Sequence, residues 1–135
     1  MNLAQYRANP SISGAVHAHP VYAMVMAIRE RALTEQLMPE SSIVMPEVPL
    51  ADYATPSTPG VVEATSKYAK THTVCLMEYH GAFTWGPDVW AAYMAMERLE
   101  YTAQITYLLE RRDGLRELPD DEIVKLVSMR PQYGL

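Results

Sequence analysis

Residues 71–86 read "THTVCLMEYHGAFTWG", and the fold turns on this stretch. A short apolar run of strand-forming residues, "TVCLM", bounded by turn residues predicts a strand buried on both faces. Gly81 then breaks the run, and "AFTWG" predicts a second short strand. Upstream, "ISGAVHA" (12–18) is another short apolar segment between turn residues, hence a third strand. It leads into "PVYAMVMAIRERALTEQL" (20–37), a helix with Val21, Met24, Val25, Ile28 and Ala32 at helical spacing. His19 is its expected N-cap and Pro20 its first helical residue, where a missing N–H costs nothing.

Residues 38–57 carry Pro39, Pro46, Pro49 and Pro56. They predict an extended connection with at most short strands around Ile43–Met45 and Val48–Leu50. Thr58–Pro59 opens a helix to about Lys70. Downstream, Gly86–Pro87–Asp88 starts the longest helix, ending near Gly114. Val89, Ala92, Met96, Leu99 and Ala103 form its apolar stripe; Met94, Tyr101, Ile105 and Leu108 lie off it, so the apolar surface exceeds what one sheet covers. Asp88 at its start and Arg111–Arg112 at its end complement the helix dipole. A last helix, "DDEIVKLVSM", follows Pro119, and the tail is "RPQYGL". Strands alternating with helices predict an α/β or mixed α+β layered domain.

The 135 residues suit one core. Hydrophobic residues make up 49% and charged residues 20%, too apolar a mixture for disorder. No apolar run is long enough to span a bilayer and "MNLAQYRANP" has no signal-peptide core, so no membrane role is expected. A net charge of −5 argues against nucleic acid or an anionic membrane as partner. The single cysteine, Cys75, excludes an internal disulfide and suits a reducing, cytoplasmic setting.

In a strand, residues i and i+2 face the same way, so His17 and His19 can converge on one ion. His80 closes the strand "TVCLMEYH". If that strand lies beside 12–18 in parallel, all three imidazoles emerge at the carboxyl ends of the strands, where α/β sheets build sites. Three neutral imidazoles leave a coordination position open, as at a catalytic zinc. The spacing alone fits ordinary hydrogen-bonded histidines equally well.

The segments "AVHAHPVYA", "VPLADYATPSTPGVVEA" and "EYHGAFTWGPDVWAAYMAMERLEYTAQ" together resemble the class II aldolase/adducin family. The resemblance runs from about Leu3 to the C-terminus. It implies a layered α/β/α domain with a central mixed sheet. It also implies a divalent metal, usually Zn2+, on the HxH pair and the HG histidine, here His17, His19 and His80. The implied activity is that of a lyase of carbohydrate metabolism. It would cleave a phosphorylated ketose such as fuculose 1-phosphate to dihydroxyacetone phosphate and an aldehyde through a metal-stabilised enediolate. The family also holds ribulose-phosphate 4-epimerases, decarboxylases of phosphorylated oxo-acids and non-catalytic, adducin-like assembly modules. Its enzymes are usually homotetramers.

Family members begin with a further N-terminal segment carrying a glycine- and serine-containing phosphate pocket and an acidic proton-transfer residue. The sequence from Met1 starts after that point, so residues 1–135 are expected to form one partial domain with no phosphate-binding residues of its own. Glu78, two residues before His80 and so on the same strand face, is a candidate ligand or base. Tyr133 matches a C-terminal tyrosine that helps handle protons in the family's fuculose-phosphate aldolases. His72 is expected to be exposed, Trp85 and Trp90 to pack the Gly86 turn and long helix, and Tyr53 to be structural.

Overall fold

The structure, a computed structural model, describes residues 1–135. In chain order it contains α1 (Asn2–Ala8), β1 (Gly14–Ala18), α2 (Val21–Ile28), α3 (Pro39–Val44), β2 (Leu50–Ala51) and α4 (Pro59–Ser66). Then come β3 (Val74–Met77), β4 (Gly81–Gly86), α5 (Val89–Glu110), α6 (Asp120–Ser128) and a 3-10 turn, Arg130–Tyr133. The strands form one mixed sheet in the order β1-β4-β3-β2. β4 runs antiparallel to both β1 and β3, while β2 is parallel to β3.

β3 and β4 are central, which explains why "VCLM" and "GAFTWG" are buried at every position. Alternate side chains feed two cores. Val74, Leu76 and Ala82 pack with Ala23, Met26 and Ala27 of α2 and Met96, Leu99 and Ala103 of α5. Cys75, Met77, Phe83 and Trp85 pack on the other face with Val61 of α4, and Tyr6 of α1 lies against them. The result is the expected α/β/α layering. No helix is long and apolar enough to cross a membrane.

β1 and β3 point the same way but are not neighbours: β4 lies between them. The expected parallel pairing of 12–18 with 73–80 is therefore corrected. A three-residue turn joins β3 to β4, and so short a link can only join antiparallel strands. Close packing at the far end of the β1–β4 pair needs Gly14, because a Cβ there would sit 2.0 Å from the backbone carbon of Asp88.

α5 begins where expected. The Asp88 carboxylate accepts the Ala91 N–H at 2.7 Å and caps it. Ala92, Met96, Leu99 and Ala103 are buried as the stripe predicts, but Val89 is 65% exposed. The off-stripe Met94, Tyr101 and Leu108 are exposed. Trp85 is buried and donates its indole N–H to the His72 carbonyl at 2.7 Å. Trp90 departs from expectation: it is 67% exposed and stacks on Tyr93 rather than packing the Gly86 turn.

Other departures have local causes. α2 stops at Ile28, not 37, because the chain turns through Glu30 at φ 53° and Leu33 bridges to Val48. Its buried face is Ala23, Met26 and Ala27, whereas Val21 and Ile28 are exposed. Almost every residue of "VYAMVMAI" is apolar, so spacing cannot choose a face. Residues 39–44 are helical where a strand at 43–45 was expected, since Pro39 opens the first turn of α3 instead of breaking it. α4 ends at Ser66 rather than Lys70, and α1 was not anticipated.

Candidate metal centre

His17, His19 and His80 meet at one end of the sheet. One ring nitrogen from each lies within 4.8 Å of the other two. Ring centroids are 4.9 Å apart for His17–His19 and His17–His80, and 5.5 Å for His19–His80. Each histidine arrives by a different route.

His17 lies in β1 opposite Phe83 of β4. Its Nδ1 is 2.9 Å from the Ala82 carbonyl oxygen, which can only accept a hydrogen bond. Nδ1 therefore carries the proton and Nε2 keeps its lone pair on the side of His19, the arrangement by which ligating histidines are usually oriented. His19 stands just past the end of β1, with Nε2 3.2 Å from His17 Nε2. Two nitrogens bound tetrahedrally at zinc distances sit about 3.3 Å apart, so this pair is spaced for a shared ion. His80 is held in the turn between β3 and β4, its N–H donating to the Met77 carbonyl at 3.0 Å.

That turn is pinned on both sides. Tyr79, at φ 53°, donates its N–H to Ala27 and its hydroxyl to the Glu30 carboxylate. Gly81 follows at φ 155°, and a Cβ there would stand 2.5 Å from the His19 ring. The His-Gly pair is thus a packing requirement: the glycine makes room for the neighbouring imidazole. Burial, and then the nearby His17 and His19 rings, lower the His80 pKa below its ordinary value and favour the neutral, ligating form. The set of three imidazole nitrogens, one already oriented by a backbone carbonyl, fits a divalent ion with a position left open.

The other candidate residues fall elsewhere. Glu78 is in the turn, not on the strand face of His80, because β3 ends at Met77. Its carboxylate accepts the Tyr53 N–H at 2.8 Å, which holds the 51–53 segment against the turn. The expectation that it shares the strand face of His80 is therefore corrected. Tyr133 is 58% exposed in the terminal 3-10 turn, and no hydrogen bond or ring contact joins it to the histidines. His72 is half-buried, its Nδ1 2.8 Å from the Thr71 hydroxyl. Tyr53 is exposed and meets Tyr79 edge-on.

The start of α2 also differs from expectation. Pro20 precedes the helix, and no side chain of the connecting segment caps it. The Tyr22 and Ala23 amides, which a developing anion could have used, already donate to Glu100 of α5 at 2.9 and 2.8 Å. Glu100, Tyr79 and Glu30 carry no motif that sequence reading could have caught; only the tertiary contact reveals them.

Compared with known proteins, residues 1–107 match the family described as "Class II Aldolase and Adducin N-terminal domain". An L-fuculose phosphate aldolase of Methanococcus maripaludis is 30% identical over 109 residues, covering 81% of this chain and 59% of its own. A 3-oxo-tetronate 4-phosphate decarboxylase of Pectobacterium atrosepticum is 29% identical over 129 residues, covering 93% and 59%. The solved structure of an L-fuculose 1-phosphate aldolase superposes with a TM-score of 0.83 at 25% identity, over 98% of this chain and 61% of the other. The chain thus spans about three-fifths of the length of these relatives.

Proposed function

The chain belongs to the class II aldolase and adducin family, and from that premise we propose that it forms one partial domain of a metal-dependent aldolase-type lyase. The substrate class is a phosphorylated ketose such as fuculose 1-phosphate, cleaved beside its carbonyl to dihydroxyacetone phosphate and an aldehyde. His17, His19 and His80 hold the ion, with zinc the expected metal. The observation that carries this reading is the 3.2 Å approach of two imidazole Nε2 atoms with a third ring nitrogen inside 4.8 Å. The cluster stands at the surface, with His19 exposed and His80 half-buried, so an ion or substrate arriving from solvent can reach it.

When bound, a zinc ion supplies Lewis acidity toward the ketose carbonyl and hydroxyl oxygens, easing the negative charge that develops as the carbon–carbon bond breaks. The protein's own part is orientation. Ala82 fixes the tautomer of His17, the Tyr79 and Glu78 contacts fix the turn under His80, and Gly81 gives His19 its place. Tyr133 is the proposed proton-handling group, delivered by the tail. The phosphate-binding residues are proposed to lie outside residues 1–135, and the working form to be a cytoplasmic homo-oligomer, a tetramer, with the exposed Trp90, Tyr93 and Tyr101 of α5 available for packing.

A decarboxylase of phosphorylated oxo-acids is the second reading. It draws on the decarboxylase relative, which aligns over 93% of this chain at 29% identity. Both reactions build negative charge next to a carbonyl, so the same three imidazoles serve either. An epimerase of ribulose phosphate would use them too. An adducin-like assembly module would have no use for them.

Metal analysis tests the proposal first: the purified chain is expected to hold roughly one zinc ion, and His80→Ala to lose it. Failure of the wild type to take up zinc after refolding with the metal refutes the reading. With zinc loaded, exchange of solvent deuterium into dihydroxyacetone phosphate then reports on the chemistry, whereas carbon dioxide release from an oxo-acid phosphate would move the assignment to the decarboxylase.

A further inference from the structure

Resting on the reading of the three histidines as metal ligands, we propose that Glu100 is a positioning residue for His19. The two N-terminal histidines are secured differently. His17 is inside β1 and its Nδ1 is tied to the Ala82 carbonyl. His19 lies beyond the strand, and the only hydrogen-bond contact of its ring is with His17 Nε2. Its location is therefore set by the backbone between the last paired residue of β1, Ala18, and the first turn of α2.

That turn is anchored by one side chain. Glu100 Oε1 accepts the Tyr22 N–H at 2.9 Å and Oε2 accepts the Ala23 N–H at 2.8 Å. The two bonds cross 78 and 77 residues of sequence and come from a helix fixed by buried Met96, Leu99 and Ala103. Glu100 has no cationic partner, since none of the ion pairs in the protein includes it. A half-buried carboxylate is thus compensated by two helix amides, a charge-assisted arrangement that favours a fixed geometry. Pro20, with φ −67°, and Val21, the first residue of α2, are the only links between His19 and the clamped amides, and the proline ring stiffens that link. The path runs from α5 through Glu100, the start of α2 and Pro20 to the ligand. The same clamp occupies the Tyr22 and Ala23 amides, which are therefore not free to receive a substrate anion.

The test uses Co2+ as the probe, because its visible absorption reports ligand number and geometry. Glu100→Ala and Glu100→Gln are expected to bind Co2+ about 10- to 100-fold more weakly than wild type, with an altered spectrum. The glutamine keeps one acceptor oxygen and should fall between alanine and wild type; it carries the test alone if the alanine variant does not fold. Thr106→Ala, which removes a buried hydroxyl bond to the Thr102 carbonyl on the same helix, is the stability control. It should lower the melting temperature while leaving Co2+ affinity and spectrum unchanged. If Glu100→Gln matches wild type in affinity within threefold and in spectrum, the inference is overturned while the metal reading stands. If wild type itself takes up no Co2+, the metal reading falls and this inference with it.

Discussion

Replacing Gly81 by alanine should damage the proposed metal centre. The new Cβ would lie 2.5 Å from His19 Cδ2, 2.7 Å from the Ala18 carbonyl oxygen and 3.3 Å from His19 Nε2. The Ala18 carbonyl belongs to β1, paired to β4 at Ala82, and cannot retreat cheaply. The imidazole must therefore move. Reaching ordinary contact at 3.4 Å means a displacement of nearly an ångström, against a tolerance in metal–ligand distance of about 0.2 Å. Backbone strain at φ 155° adds about 1–3 kcal/mol, and overpacking a similar amount. Forcing His19 off its position should weaken metal binding by about 100-fold, the upper end of what disturbing a ligand's orientation costs. At a metal concentration of 100 times the wild-type Kd, metal stabilises the wild type by about 2.7 kcal/mol and the variant by only about 0.4 kcal/mol. The melting temperature would then rise by roughly 10 °C in wild type and by about 1–2 °C in Gly81→Ala. Zinc titration against a chromophoric chelator, alongside thermal unfolding with and without metal, measures both. A variant with wild-type affinity and a full metal-induced rise would refute the claim that Gly81 exists to seat His19.

Two further outcomes follow from the fold. Asp88→Ala removes the cap of α5 and should cost about 1 kcal/mol, seen as a melting temperature lowered by roughly 3–6 °C; because Asp88 is at the opposite end of the β1–β4 pair, metal affinity should not change. Burial pushes the Cys75 thiol up to about 12, so at pH 8 a disulfide reagent should label it only as the chain unfolds; rapid labelling of the native protein would contradict its place in the sheet.

The most legible parts of the sequence were those where several signals agreed. The two strands around Gly81, the long helix from Asp88 and the helix after Pro119 each combined a pattern with a start or stop residue. The histidine trio was visible as HxH plus His-Gly, yet the route to it was misread. Sequence spacing placed His80 at a strand end next to 12–18, whereas a tight turn inserts β4 between the two. Glu78 misled for the same reason: period-2 reasoning holds only while the chain stays extended, and it bends after Met77. In α2, uniformly apolar residues gave the period nothing to grip. The early end of that helix depends on Leu33 finding Val48, a contact with no local signature. Glu100 was illegible because a carboxylate beside the buried stripe of a helix looks the same whether or not amides from a distant turn are waiting for it.

The bond from His17 to Ala82 spans 65 residues, and this separation bears on when an ion could be bound as the chain folds. A nascent chain that has exposed only the HxH pair offers an ion two ligands and no enclosure. On the proposed metal reading the third ligand joins them only once β4 has paired with β1. The entropy of closing so long a loop is met by strand pairing and apolar packing, not by the ion. On that reading, uptake of the ion is therefore expected to follow the pairing of β4 with β1, and a chain refolded without metal should regain its melting transition first and bind added zinc afterwards.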